Sequence, residues 1–279
     1  MLKRSSFVRV LLLGAAAALC GCRDGYLQLD HERHIDPGSL GESYETARFA
    51  SADGTPLSGL WFPAARLPAK GVVVQFHGNG ENVTAHFVYV SWLALDGWDV
   101  LAFDYREYGD SGGGRSLKGS AADGVAALSY ARAKAPGLPL VVIGQSMGAG
   151  LALAALAVDG GEGVRALVLD SSFPSYERLA RRKFPLLWLM APLSPLLLPD
   201  SLSPDWLIAR RARVPLLMLH APGDPVVPYS EGRRLYDLAP GPKEFWDVPG
   251  KGHTEAFGLQ ESEFRPRLMA FLDAALARP

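Results

Sequence analysis

Gly144-Gln145-Ser146-Met147-Gly148 places a serine between glycines, directly after the apolar run Pro139-Leu140-Val141-Val142-Ile143 and directly before Gly150-Leu151-Ala152-Leu153-Ala154-Ala155-Leu156. A strand-like run, a G-x-S-x-G turn and a helix-like run together describe a nucleophile elbow, in which the serine hydroxyl is lifted off the edge of a sheet. Small flanking residues are needed there, because a Cβ would strike the neighbouring strand and helix. The bland alternative is an ordinary Gly-rich strand–helix turn.

A serine hydroxyl is a weak nucleophile at neutral pH and needs a base, which in turn needs an orienting group. Of six histidines, His31 and His34 lie near the N-terminus, His77 follows a strand ahead of the elbow, His86 falls on a helix, and His220 ends a strand and reads as packed. His253 sits in the Gly-rich stretch Pro249-Gly250-Lys251-Gly252-His253, after the last strand-like run, where a loop can reach the elbow. The acid is expected to be Asp224, in Gly223-Asp224-Pro225 after the strand ending at His220. Asp170, at the end of an earlier strand, is its competitor. The order Ser146, Asp224, His253 is the nucleophile–acid–base order associated with such an elbow. Acyl transfer also needs two backbone N–H donors for the developing oxyanion. Met147, at a helix N-terminus, supplies one. The turn Phe76-His77-Gly78-Asn79-Gly80-Glu81-Asn82 supplies the other, from Asn79. His77 reads as a structural member of that turn.

With these residues in place the chain resembles the α/β-hydrolase superfamily from about Glu45 to its C-terminus. Three stretches look like the ABHD-type serine hydrolases, whose members are often labelled serine aminopeptidase-like: His77 to Asn82, Asp104-Tyr105-Arg106-Glu107-Tyr108-Gly109-Asp110-Ser111, and Gly144 to Gly148. Glu107 stands where many members carry Gly. The resemblance implies a mostly parallel central sheet flanked by helices, a serine hydrolase acting on a carboxylic ester or thioester, no cofactor and no metal. Asp104 and Arg106 would hold their loop without doing chemistry. A peptidase or acyltransferase on the same scaffold, or a non-catalytic lipoprotein binding module, remain as alternatives.

Alternating strand and helix patterns supply the frame. Strands are expected at 57–62 (antiparallel), 71–76, 100–104, 139–143, 166–170, 216–220 and 244–248, and helices at 82–95, 121–135, after the elbow, and 262–276. The apolar, Pro-broken run Phe184–Leu198, inside a 172–213 insertion between two strands, reads as a small cap, with a plain core-packing crossover helix as the alternative. Its apolar side would line the acyl-binding region.

At 279 residues, 48% of them hydrophobic and 20% charged, the chain can bury one large domain, expected over 46–279. A net charge of −1 without a basic stretch in the body argues against a nucleic-acid partner. The first residues differ in character. Lys3, Arg4 and Arg9 precede the short apolar run Val10–Leu19, which ends Leu19-Cys20-Gly21-Cys22. This resembles a bacterial lipoprotein signal: residues 1–21 would be removed, Cys22 lipidated, and 22–45 left as a tether. Arg23, in place of an inner-membrane-retaining Asp, implies the outer membrane of the cell envelope. An ordinary signal peptide with a periplasmic product, or an uncleaved anchor, is the alternative. Both cysteines lie in this segment, so the body has neither a disulfide nor a thiolate nucleophile.

Overall fold

The computed structural model describes residues 27–183, 202–210, 214–258 and 261–278. Cys22 and the run Phe184–Leu198 lie outside the described residues.

Among the described residues eight strands form one sheet. They are β1 (Glu45–Ala50), β2 (Pro56–Phe62), β3 (Val72–Phe76), β4 (Asp99–Phe103), β5 (Leu140–Gln145), β6 (Val164–Asp170), β7 (Leu216–His220) and β8 (Lys243–Asp247). Their order is β1-β2-β4-β3-β5-β6-β7-β8. β1 and β2 pair antiparallel, β2 pairs antiparallel with β4, and every later pairing is parallel. This is the α/β-hydrolase fold expected from the sequence.

Parallel strands covered on both faces should be apolar at every position, not at alternate ones. β3 and β5 meet that condition. Val72, Val74, Phe76, Leu140 and Val142 point into one core, while Val73, Val141 and Ile143 point into the other. The first core is closed by α2 (Leu117–Lys134) and α3 (Met147–Asp159), the second by α7 (Glu261–Leu276). From Met147 to Leu156 every residue of α3 is buried, as an all-apolar helix requires. Ser116 caps α2 by accepting from the Gly119 N–H at 3.0 Å, which starts the helix ahead of the expected Ala121.

The helix expected over 82–95 is instead a single α turn, α1 (Val83–His86), followed by 3₁₀ turns at Phe87–Tyr89 and Ser91–Asp96. β-Branched and aromatic residues (Val83, Val88, Val90, Phe87, Tyr89, Trp92) have low helix propensity, and tertiary packing breaks the run. Three further helices are α4 (Tyr176–Lys183), α5 (Pro204–Ile208) and α6 (Tyr229–Leu238). Among the described residues no helix is long and apolar enough to cross a membrane.

Part of the segment expected as a tether is docked. Leu27 is 2% exposed, and residues 28–35 bond to the loops after β3 and β4.

Candidate active site

The strand order reverses at β3 and β5: β4 lies outside β3 on one side, and β6 outside β5 on the other. The crevice beyond the C-terminal ends of two such strands is where ligands sit in open α/β sheets. β5 ends there in the elbow, and β3 ends in the His77–Gly80 turn. Register pairs Phe76 with Gly144, so the two turns leave the sheet side by side.

Ser146 has φ 51° and ψ −115°, a strained conformation for a residue with a Cβ. It occupies the N-cap position of α3, yet its hydroxyl makes no capping bond. An N-cap serine ordinarily spends its hydroxyl on the helix; this one does not. The glycines make the turn possible. A Cβ on Gly148 would overlap the carbonyl oxygens of Phe76 and His77, and one on Gly144 would stand 2.6 Å from Cα of Ala149. The Ser146 N–H donates to the Asp170 carbonyl at 2.8 Å, which pins the elbow to the end of β6.

β7 delivers Asp224 and β8 delivers His253. Nδ1 of His253 lies 2.8 Å from Oδ2 of Asp224. Against a carboxylate, Nδ1 carries the proton, which leaves Nε2 as the acceptor. The other Asp224 oxygen accepts from the N–H groups of Val226 (2.8 Å) and Val227 (2.9 Å). Burial pushes the Asp224 carboxyl up, but the neighbouring His220 and the hydrogen-bonded His253 outweigh it and hold it well below the usual carboxylate range. His220, fully buried, donates from Nε2 to the Val227 carbonyl at 2.9 Å and stands 3.4 Å from Asp224, so it packs under the acid's turn.

The His253 loop is fastened to the same strand end as the elbow. The Thr254 N–H donates to Oγ of Ser171 at 3.1 Å. Ser171 follows the residue that accepts from Ser146. Ser146, Ser171 and Thr254 account for three of the four non-glycine residues with positive φ among the described residues, at 51°, 52° and 59°. Strain of this kind persists only where surrounding bonds over-determine it, and it clusters at working sites. Asp170, the competing acid, does not bond His253. It is buried, bonded by the Ser171 hydroxyl at 3.2 Å, and burial pushes its carboxyl up to about 6.

On the other side of the crevice Asn79 stands between Gly78 and Gly80, the latter at φ 100°. Its side-chain oxygen accepts from the Gln28 N–H and the Tyr108 hydroxyl, each at 2.8 Å. Met147, the first residue of α3, is fully buried. His77 is buried with Nδ1 2.7 Å from the Gly78 carbonyl, and burial lowers its pKa to about 3, so the ring stays neutral within its turn. Asp104 caps the Val83 N–H at 2.7 Å, and Arg106 grips the fully buried Asp123 while reaching Asp53 at 2.9 Å. Both hold their loop, as expected. Glu107, the departure from the family pattern, sits at φ 63°, a conformation that glycine adopts without strain.

The structure thus joins Asp224 to His253 by a direct bond and ties Ser146 to the His253 loop through Asp170 and Ser171. Sequence reasoning missed Ser171, Tyr108 and Gln28. Ser171 had one faint signal, its place directly after an apolar strand ending in Asp170.

A family model described as serine aminopeptidase, S33, matches residues 68–214. The chain is 35% identical over 240 residues to the protein YfhR of Escherichia coli O157:H7, covering 84% of this chain and 82% of that one. It is 29% identical over 199 residues to the lysophosphatidylserine lipase ABHD12 of Gallus gallus, covering 67% of this chain and 52% of that one. The esterase Pf2001 of Pyrococcus furiosus shares the fold, with a TM-score of 0.70 at 22% identity, covering 88% of this chain and 97% of that one. The chain therefore belongs to the S33 serine aminopeptidase family of hydrolases, and within the α/β-hydrolase fold it is of the ABHD type.

Proposed function

We propose that this protein hydrolyses carboxylic esters or thioesters through an acyl-enzyme on Ser146. The observation that carries the reading is the 2.8 Å bond between His253 and Asp224, set beside a serine held at φ 51° with an uncommitted capping role. Nε2 of His253 takes the proton as Ser146 Oγ adds to the acyl carbon. The carbonyl oxygen becomes an oxyanion and receives the backbone N–H groups of Asn79 and Met147. Collapse expels the alcohol or thiol, which leaves with the proton from His253. Water, deprotonated by His253, then adds to the acyl-enzyme; the acid is released and Ser146 regains its proton. Asp224 stays ionised throughout and stabilises the imidazolium.

Ester rather than amide chemistry draws support from the likeness to the lysophosphatidylserine lipase ABHD12 and to the esterase Pf2001. A panel of p-nitrophenyl esters, acyl thioesters and aminoacyl amides tests it. Esters or thioesters should be turned over at least about 100-fold faster than amides, a gap the intrinsic reactivities and a matched acyl site would give. Preferential cleavage of aminoacyl amides would favour the peptidase reading instead, and transfer of the acyl group to an added alcohol in preference to water would favour an acyltransferase.

We further propose, from the Leu19-Cys20-Gly21-Cys22 run after a short apolar stretch, that lipid on Cys22 holds the enzyme at the cell envelope. Mass spectrometry of the N-terminal peptide decides this: a diacylated Cys22 supports it, and an unmodified start elsewhere rejects it.

A further inference from the structure

Residues 27–35 run across the two loops that border the Asn79 turn. Gln28 donates its N–H to Oδ1 of Asn79 at 2.8 Å, and Tyr108 donates its hydroxyl to the same oxygen at 2.8 Å. Farther along, the Asp30 carbonyl accepts from the Gly109 N–H at 2.8 Å. Asn82 Nδ2 donates to the Glu32 carbonyl at 2.6 Å and to the Asp30 carboxylate at 3.0 Å. The His34 N–H donates to Thr84 Oγ1 at 3.0 Å, and the Ile35 N–H to the Thr84 carbonyl at 3.2 Å. The segment is stitched to 79–84 and to 109 along its length, with Leu27 buried at its start.

The turn it covers is also held on its inner side, where the Tyr105 hydroxyl donates to the His77 carbonyl at 3.2 Å. Gly78 and Gly80 bracket Asn79, and glycine allows the widest range of backbone directions. Between two such residues, what grips the Asn79 side chain bears directly on where its N–H points. Its one side-chain acceptor is held by donors from two separate segments.

We propose that Gln28 and Tyr108 are positioning residues for acyl transfer: they clamp the Asn79 side chain so that its backbone N–H is fixed where the oxyanion forms. This rests on the ester-hydrolase reading above. An oxyanion donor acts on the transition state and hardly on the bound ester, so loss of the clamp lowers kcat and leaves KM nearly unchanged.

Two variants of the full chain test it. Tyr108→Phe removes one donor and keeps the ring. Gln28→Pro removes the other donor. With p-nitrophenyl acetate, Tyr108→Phe and Gln28→Pro should each lower kcat about tenfold, a modest share of what a misplaced catalytic group can cost, with KM within about twofold. An alkyl trifluoromethyl ketone, whose oxygen becomes an oxyanion when Ser146 adds to it, should bind more weakly by the same factor as kcat falls. A purely structural role would lower thermal stability without moving the inhibitor in step with kcat. Parental kcat in both Tyr108→Phe and Gln28→Pro overturns the proposal, as does a loss confined to KM or to stability. Failure of the underlying reading looks different: the unaltered protein would then neither turn over the ester nor bind the ketone.

Discussion

The carboxylate of Asp224 stands 2.8 Å from Nδ1 of His253, and two backbone N–H groups hold its other oxygen. That arrangement fixes a tautomer as well as an angle. Asp224→Asn keeps the shape but can present an N–H where an acceptor is needed, which turns the imidazole's lone pair the wrong way. Ester hydrolysis should fall by ~10³–10⁴ in kcat, the scale known for loss of such an orienting acid. Asp170→Asn should leave kcat within about tenfold, because Asp170 makes no bond to His253; with no charge–dipole contact to lose, only the longer-range field changes. Steady-state kinetics of the two variants checks both. A large loss in Asp170→Asn with a small one in Asp224→Asn would reverse the assignment.

Asp170 also gives a stability prediction with a definite sign. Burial raises its pKa to about 6 from an ordinary 3.8, while His253, the Ser171 hydroxyl and His220 pull it down and Asp224 pushes it up. The folded form therefore favours the protonated acid. Its contribution to stability is complete below pH ~4 and is lost as pH rises through ~6. Asp170→Asn should remove this dependence and raise stability at pH 8 by on the order of 1–3 kcal/mol, the size that a carboxyl raised to about 6 carries. Denaturant unfolding of both proteins at pH 5 and pH 8 checks it; a variant that is less stable than the parent at pH 8 contradicts it.

The strands around the site were legible because each is a short apolar run bounded by Gly, Pro or Asp. β1 was not. Glu-Thr-Ala-Arg-Phe-Ala buries only Ala47 fully, so an edge strand with one buried contact leaves almost no pattern. α6 was missed for a related reason: it follows Pro228 in a run rich in Arg and Glu, and buries only Gly232 and Leu235. Docking of residues 27–35 was invisible because polar side chains hold it. Its partners, Asn82 and Thr84, lie some 50 positions away, and no periodicity records such a bond. Ser146, Asp224, His253 and Asn79 were legible because the turns that carry them must be built of Gly and Pro. The left-handed Ser171 and Thr254 were not, since neither residue type advertises that conformation.

Glu107, directly before Tyr108, offers a test of backbone strain. At φ 63° a side chain costs ~1–2 kcal/mol, whereas glycine there loses roughly 0.5–1 kcal/mol through its freer unfolded chain. Glu107→Gly should therefore be neutral to stabilising by up to about 1 kcal/mol, with kcat unchanged. Thermal unfolding and ester kinetics check it; a clear loss of stability would mean that the Glu107 side chain does something beyond its backbone.

Gly148 sits where a side chain would overlap two carbonyl oxygens of the facing turn. Backbone atoms cannot step aside as a side chain can. Gly148→Ala should cost ~3 kcal/mol or more, at or beyond the upper end of overpacking effects, and should separate the elbow from the Asn79 turn. Activity should fall further than stability accounts for. Equal activity per folded molecule would show that the two turns need not touch.

The central claim is that Ser146 carries the acyl group. The direct measurement is treatment of the full protein with a fluorophosphonate, followed by mapping of the adduct by peptide mass spectrometry. The phosphonyl group should be found on Ser146 with stoichiometry near one, in parallel with loss of ester hydrolysis. Ser146→Ala should remain folded, take up no label and lose ~10⁴–10⁶ in kcat. An adduct on another residue, or normal turnover by a folded Ser146→Ala protein, would contradict the claim.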